Sequence, residues 1–159
     1  MSTYESHGIE FDFPDDWQLT EAADESHVAI SIESPGSAFW MLSIIQGRPS
    51  ADDVVASALE SLQEEHEECD VYDSTNQICM LPTAAFDVDF ECAEMIDRAS
   101  IMACETDRVT LFVMHQCPQT EEADFKRDLL SITDSLMWDT EDDPGFDPLA
   151  YDNLAGLEP

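Results

Sequence analysis

The stretch that decides the fold of this chain is FDVDFECAEMIDRASIMACETDRVTLFVMHQC, residues 86–117. It contains three runs rich in apolar side chains, at residues 86–92, 98–104 and 109–117. In the first run apolar and acidic residues alternate, which is the pattern of a strand with one buried face. Polar residues 105–108 separate the last two runs and have the composition of a tight turn. The stretch therefore predicts three consecutive strands, with the last two joined as a hairpin.

The N-terminal region predicts a strand, a turn and a second strand. Residues 9–13 alternate apolar and acidic side chains, and Pro-Asp-Asp breaks this pattern just before Trp17. A short strand is expected after Trp17, and a weaker strand is expected at residues 71–75.

Two more strands are predicted around a turn at residues 34–37. Val28, Ile30 and Ile32 alternate with smaller or polar residues, and the turn Ser-Pro-Gly-Ser leads into residues 38–45. Residues 38–45 are apolar at nearly every position. We therefore expect a central strand that is covered on both faces.

Two segments have the period of amphipathic helices. The first begins at Ser50, which is placed to cap the helix, with Asp53 three residues later. Its apolar positions at helical spacing are Val55, Leu59 and Leu62. The second helix follows Pro118, and its apolar positions are Phe125, Leu129, Ile132 and Leu136.

This order of elements predicts an α+β fold. We expect a largely antiparallel sheet of about six or seven strands flanked by two main helices. With 159 residues, of which 43% are hydrophobic, the chain has enough apolar side chains for one core. Residues 1–138 are predicted to form a single domain, and residues 139–159 an acidic C-terminal tail.

A short motif adds a resemblance to a known fold family. The motif is FDFPDDW, residues 11–17, an aromatic strand that ends in a Pro-acid-Trp turn, and the second helix runs into Ser-Leu-Met at residues 135–137. Over residues 9–138 this pattern resembles the family shared by the photosystem protein PsbP, the Ran-binding import factor Mog and bacterial DcrB-like domains. The resemblance implies a PsbP-like sandwich with an accessory or binding role, and it assigns no catalytic residue and no cofactor.

Charge is the strongest compositional signal. The chain has 37 acidic and 5 basic residues, a formal net charge of -32. Seven of the acids lie in residues 139–159, so the remaining 30 acids and 5 bases leave -25 on residues 1–138. Such a field repels nucleic acid and anionic membranes, so we expect neither as a partner. General adaptation to a salty medium, or simply solubility, is the simpler explanation of the charge, and a basic partner is the functional one.

The location expected from the sequence is the cytoplasm. No apolar run is long enough to cross a bilayer, and the first residues lack the basic and apolar regions of a signal peptide. The five cysteines are odd in number and contain no C-x-x-C pair, so they are expected to be reduced and mostly buried.

Motifs for nucleotide binding and nucleophilic catalysis are missing from the sequence. The five glycines are too scattered for a phosphate-binding loop, and there is no nucleophile elbow. Cys104 and His115 with an acid could be combined into a triad only if the fold brought them together. An enzyme would need a concave pocket with convergent polar groups near His115 or Asp87. We expect no catalytic residue, no metal and no cofactor.

Three carboxylates alternate with apolar residues on one predicted strand. Asp87, Asp89 and Glu91 are expected to lie in a row on one face of the sheet. Oxygen ligands suit a divalent cation, but same-face neighbours on a strand are about 7 Å apart, too far to share one ion without a neighbouring strand. Pairing with Arg98 or Arg108 on an adjacent strand is the simpler expectation.

The first candidate binding surface is an acidic ridge at the end of the first helix. Acids in the C-terminal half of a helix oppose the helix dipole, and acids four residues apart repel each other. The ridge either is simply solvated or docks a basic protein. Its residues are Glu60, Glu64, Glu65, Glu67 and Glu68.

The second candidate surface is the tail, which combines acids with spaced apolar residues. These apolar residues either cover their own domain or reach a second copy of the chain, forming a homodimer. They are Phe146, Leu149, Tyr151 and Leu154.

The sequence therefore predicts a non-catalytic binding or accessory domain that acts through contacts with another protein. The alternative is an acidic protein that binds divalent cations.

Overall fold

The computed structural model of this chain describes residues 1–138. Its ten strands in that range are β1 (Ser2–Ser6), β2 (Ile9–Phe13), β3 (Gln18–Ala23), β4 (His27–Glu33), β5 (Phe39–Ile45), β6 (Cys69–Asp73), β7 (Ala84–Cys92), β8 (Met95–Glu105), β9 (Thr110–Pro118) and β10 (Met137–Trp138). Its two α-helices are α1 (Ala51–Glu65) and α2 (Glu122–Ser135), and a short 3-10 helix, Gln119–Glu121, leads into α2.

The strands form two antiparallel sheets. Seven of them make the main sheet in the order β3-β4-β5-β9-β8-β7-β6, and the other three make a small sheet in the order β1-β2-β10. The predicted α+β class, with a largely antiparallel sheet of about six or seven strands and two main helices, is confirmed, and the main sheet has seven strands. The small second sheet was not predicted.

The meander at residues 86–117 supplies the centre of the main sheet. Strands β7, β8 and β9 pair in sequence, and Thr106 closes the predicted turn, its N–H donating to the carbonyl of Val109 at 2.8 Å. The Thr106 hydroxyl also accepts from the N–H of Val109 at 2.9 Å. This threonine therefore satisfies backbone groups that a four-residue turn would otherwise leave open.

Each face of the main sheet has its own apolar core. On one face, α2 and the small sheet cover residues of β4, β5 and β9, and on the other face α1 covers residues of β7, β8 and β9. Alternate residues of β5 belong to opposite cores, with Trp40 and Leu42 under α2 and Met41 and Ile45 under α1. The prediction of a central strand covered on both faces is confirmed, because a strand points successive side chains in opposite directions.

The aromatic motif at residues 11–17 joins the small sheet to α2. Phe11 is fully buried, with its ring centroid 4.8 Å from that of Trp40, and Trp17 meets Phe125 of α2 edge-on at 5.8 Å. The predicted turn is closed by the N–H of Trp17, which donates to the carbonyl of Pro14 at 3.1 Å. The aromatic side chains of the motif thus serve packing, since they join the small sheet and α2 to the main sheet.

Several element boundaries differ from the predictions, most of all those of α1, β6 and β8. Helix α1 starts as predicted, since the Ser50 hydroxyl accepts from the N–H of Asp53 at 3.4 Å, but it ends at Glu65. The weak strand runs over Cys69–Asp73 instead of 71–75, and β8 is longer than predicted at both ends. Neither described helix is long and apolar enough to span a bilayer.

Candidate functional site

The acidic ridge is exposed as expected, but only part of it is helical. All five of its glutamates are exposed, and α1 has no basic residue in its last turn. Because α1 ends at Glu65, Glu67 and Glu68 lie in the connection to β6, so the prediction that they belong to the helix is wrong. Repulsion at a four-residue spacing therefore acts between Glu60 and Glu64 only.

His66 is the reason that the helix stops where it does. Its backbone is extended, with φ -130° and ψ 131°, and its ring stacks on Phe90 of β7 at 4.2 Å between centroids. The thiol of Cys69 then turns back toward the carbonyl of Leu62 at 3.7 Å. The chain therefore leaves the helix at His66, whose ring contacts the sheet, and Glu67 and Glu68 lie between this residue and the start of β6.

Strand β6 is an edge of the main sheet. Among the described residues it pairs only with β7, and Val71 and Tyr72 are 38% and 48% exposed. The opposite edge, β3, is partly covered, because Glu21 accepts a hydrogen bond from Tyr4 of β1 at 2.6 Å and contacts His7. We call the glutamates 64, 65, 67 and 68 together with Val71 and Tyr72 the β6 edge surface.

The predicted row of carboxylates on β7 is present and is largely occupied by neighbours on β8. Asp89 lies opposite Arg98, which donates to it through Nε at 2.6 Å and Nη2 at 2.8 Å. Asp87 lies opposite Ser100, whose hydroxyl donates to it at 2.7 Å. The predicted cross-strand pairing with Arg98 is confirmed, and Asp89 in turn raises the pKa of that guanidinium.

Residues 1–138 contain no group of three or more histidine, cysteine or acidic side chains arranged to hold a metal ion. The alternative of a divalent-cation-binding protein therefore gains no support from the described part of the chain.

A small pocket lined by both polar and apolar side chains lies between the main sheet and α2. Its volume is about 150 Å³, and Asp87, Arg98, Ser100 and His115 of the sheet line it together with Lys126 and Leu129 of the helix. The strand register explains this convergence, since Asp87 pairs with Ser100 and Ser100 pairs with His115. A pocket of the kind that an enzyme would need near His115 and Asp87 is thus present, although the sequence could not place these residues together.

His115 is the unusual group of this pocket. It is 6% exposed, and its Nε2 is the one buried side-chain nitrogen or oxygen of the described residues that has no hydrogen-bond partner. Burial lowers the pKa of His115 to about 4, against a smaller opposing effect of Asp87. The imidazole is therefore neutral near pH 7 and lines the pocket, while its buried Nε2 has no hydrogen-bond partner among the described residues.

The pocket has polar groups but lacks an activated nucleophile. The Ser100 hydroxyl donates to Asp87 and not to His115, so the proton relay of a serine hydrolase is not formed. Cys104 lies opposite Leu111, four residues along β9 from His115, which is a separation of about 13 Å. Burial also raises the pKa of the Cys104 thiol to about 12 and that of Cys117 to about 11, so both stay protonated.

The tail residues Phe146, Leu149, Tyr151 and Leu154 lie outside the described residues. Covering of their own domain and exchange with a second copy therefore both stay predictions.

Fold and site together define an acidic α+β domain in which a seven-stranded antiparallel sheet lies between two helices. No protein-family model matches the chain, and no curated protein matches it. Among solved structures, the chain shares its fold with LpqN of Mycobacterium tuberculosis, described as involved in cell envelope biogenesis. The two are 12% identical, with a TM-score of 0.55 over 81% of this chain and 82% of LpqN.

A protein of Bacteroides thetaiotaomicron is similar to the same degree. It is 13% identical, with a TM-score of 0.55 over 84% of this chain, and this chain matches 46% of that protein's length. At such identities the likeness is one of fold alone.

Proposed function

We propose that this chain is a non-catalytic binding domain that acts through protein contacts, and that its partner is a basic, extended segment lying along β6. The observation that carries this proposal is the combination of an unpaired strand edge, exposed apolar side chains and four glutamates on the β6 edge surface. Each of these features is common alone, but together they match the way in which extended peptides are recognised.

The edge supplies backbone hydrogen bonds. A strand at the end of a sheet has N–H and C=O groups that no neighbour takes, and an incoming segment can pair with them. Val71 and Tyr72 point to opposite faces of the sheet. They offer apolar contacts on both sides of an added strand.

The charge selects the partner. In the described chain, Glu64, Glu67 and Glu68 form no hydrogen bond or ion pair, and Glu65 meets only His66, at 4.0 Å. A second copy of a chain with a net charge of -32 would be repelled from this surface, and so would nucleic acid. A lysine-rich or arginine-rich protein segment is attracted to it.

We expect a peptide of alternating lysine and valine to bind the chain at low salt and to bind about tenfold more weakly once the four glutamates of the surface become glutamine. The peptide is a probe of extended, basic chemistry, and fluorescence anisotropy measures its Kd. The matched control changes Glu5, Glu10, Glu25 and Glu33 to glutamine, since all four are exposed and the change in net charge is the same.

Two results would contradict this proposal. Equal loss of affinity in the two quadruple variants would mean that the peptide senses only the overall field. Unchanged affinity of a peptide with alternate amides N-methylated would mean that it does not pair with the strand edge, because methylation keeps the charges and removes the donors.

The absence of catalysis in this proposal is supported by the pocket, where the Ser100 hydroxyl donates to Asp87 and not to the imidazole of His115, so that no serine–histidine pair is formed. It is also in line with membership of the PsbP, Mog and DcrB-like superfamily, which we propose as the family of this fold. Support for that membership comes from the buried aromatic motif at residues 11–17 and from the final helix packed on an antiparallel sheet.

We further propose the cytoplasm as the location. All five cysteines are free, and Cys104 and Cys117 are buried away from each other on different strands, which suits a reducing compartment. Fractionation of cells that express the chain tests this location. Recovery with the cell envelope, in whose biogenesis LpqN is involved, would contradict it.

A further inference from the structure

A groove lies at the point where the described chain ends. One wall is the C-terminal end of α2 with β10, and the other is the segment 75–80 between β6 and β7. We call it the β10 groove. Its volume is about 460 Å³, within the range of about 300 to 1,000 Å³ of pockets that hold drug-sized ligands. The groove is therefore large enough for several side chains of a docked segment.

The rim of the β10 groove carries exposed apolar side chains. Met80 is 92% exposed, more than any other large apolar residue of the described chain, and Met137 is 62% exposed. Met80 lies in a tight turn in which the N–H of Leu81 donates to the carbonyl of Ile78 at 3.0 Å. Two large apolar side chains beside one groove form the kind of surface that marks a binding site.

The inner side of the groove is held in place by the core. Cys79 and Trp138 both pack against the core beneath the small sheet, and the backbone of Trp138 hydrogen-bonds to the Cys79 sulfur. The Trp138 Nε1 also donates to Asp107 at 3.2 Å. Both walls are thus joined before anything docks, which lowers the entropy cost of binding.

The lining of the groove favours an apolar segment. Of the described residues that line it, Asp134 alone is charged, so an occupant gains little from ion pairs. Thr75, Asn76 and Gln77 supply polar side chains that can pair with backbone groups. A segment with spaced apolar side chains meets both requirements.

The chain itself continues from this groove. Trp138 lines the groove, so residue 139 begins beside it. Residues 139–146 can span up to about 27 Å, so Phe146 can reach either wall. Leu149, Tyr151 and Leu154 follow within the next eight positions.

Tethering and charge both favour the chain's own tail over a second copy. A short linker holds its segment at an effective concentration of about millimolar order. A second copy carries the same net charge of -32 and is repelled.

We propose that the β10 groove is the docking site of this chain's own residues 146–154, whose apolar side chains cover Met80 and Met137. The acids of the segment stay in solvent, because the described lining of the groove offers no cation. The docked segment also covers β10, which within residues 1–138 pairs with β2 alone. This contact is separate from the β6 edge surface and does not depend on the function proposed for it.

The test uses the full chain with 13C-labelled methionine methyl groups. A neutral gadolinium chelate in the solvent broadens each methyl NMR signal according to the exposure of the methyl group. The exposed fractions of the side chains rank Met80 (92%) above Met1 (67%) and Met95 (37%). A docked tail reverses this order, and we expect the Met80 signal to be broadened less than that of Met95.

Variants of the full chain connect this protection to the tail. Replacing the four apolar tail residues with serine should increase the broadening of Met80 and Met137 by about tenfold, as expected if about nine tenths of the molecules are docked. The signals of Met1 and Met95 should not change. The matched control replaces four tail acids with asparagine and should leave Met80 protected. Its changes are Asp142→Asn, Asp143→Asn, Asp147→Asn and Asp152→Asn.

A variant of the groove tests the other side of the contact. Met80→Asp places a charge on the apolar rim, so the broadening of Met137 should rise as it does in the serine variant. Met95→Asp adds the same charge at the start of β8 and should have no effect on Met137.

Three results would overturn the proposal. The first is broadening that follows the exposed fractions of the side chains, since Met80 is then uncovered. The second is protection that the serine variant retains or that the asparagine control loses equally, since the apolar tail residues are then not the occupant. The third is protection that weakens on dilution together with a dimer mass in light scattering, which would assign the groove to a second copy.

Discussion

The His115→Phe variant is expected to lose about 3 kcal/mol less free energy of unfolding than the unmodified chain when the pH falls from about 7 to about 4. Burial lowers the pKa of His115 from its ordinary value of 6.5 to about 4 in the folded chain. Between these two pH values the unfolded chain binds a proton at this position and the folded chain does not. The stabilisation is thus fully present above pH 6.5 and is lost as the pH falls.

Urea unfolding at several pH values in this range measures the difference. Protonation of the many carboxylates changes the free energy of unfolding of both proteins. This common change cancels when the curve of the free energy against pH for the variant is subtracted from that for the unmodified chain. His27→Gln, which removes a half-exposed histidine, controls for the loss of an imidazole. Parallel curves for the unmodified chain and the His115→Phe variant would show that His115 is accessible to protons in the folded state, and the account of the pocket would then be wrong.

Replacing Trp40 with alanine is expected to lower the free energy of unfolding by about 4 kcal/mol, the cost of a large cavity in a packed core. Trp40 is fully buried beneath α2, and its ring packs on Phe11. Its Nε1 also donates to the Thr133 hydroxyl at 3.0 Å, which links β5 to the helix. Both the small sheet and α2 should loosen together, because this side chain contacts each of them.

Trp40→Phe separates packing from hydrogen bonding. It keeps an aromatic ring and removes the donor, while the Thr133 hydroxyl still donates to the carbonyl of Leu129 at 3.0 Å. We expect a loss of about 1 to 2 kcal/mol for this variant. Urea unfolding monitored by circular dichroism measures both changes. Equal losses for the two variants would show that the hydrogen bond, and not the packing, holds the helix.

Local sequence patterns were sufficient to predict most strands of the main sheet. Alternation at residues 86–92 and the apolar run at 109–117 predicted β7 and β9, because a strand with a buried face must repeat with a period of two. The cap at Ser50 predicted the start of α1 for a similarly local reason. The end of α1 was missed, since it depends on the contact between His66 and Phe90, which are 24 positions apart in the chain.

Two other features had no clear local signal. The turn between β7 and β8 consists of Ala93 and Glu94, both with positive φ, at 54° and 68°. Such turns are normally recognised by asparagine or glycine, and neither is present here. Strand β1 is polar along most of its length and exists because β2 offers it a pairing edge.

The sequence by itself determined the α+β class, the negative charge of residues 1–138 and the exposed glutamates after Leu59, because composition and short-range periodicity are properties of neighbouring residues. Only the tertiary structure decided that Glu67 and Glu68 precede a strand edge that, within residues 1–138, pairs on one side only. It alone also brought Asp87, Ser100 and His115 together. They lie on three different strands, and their proximity depends on the register of β7, β8 and β9, which is set by packing across the whole sheet.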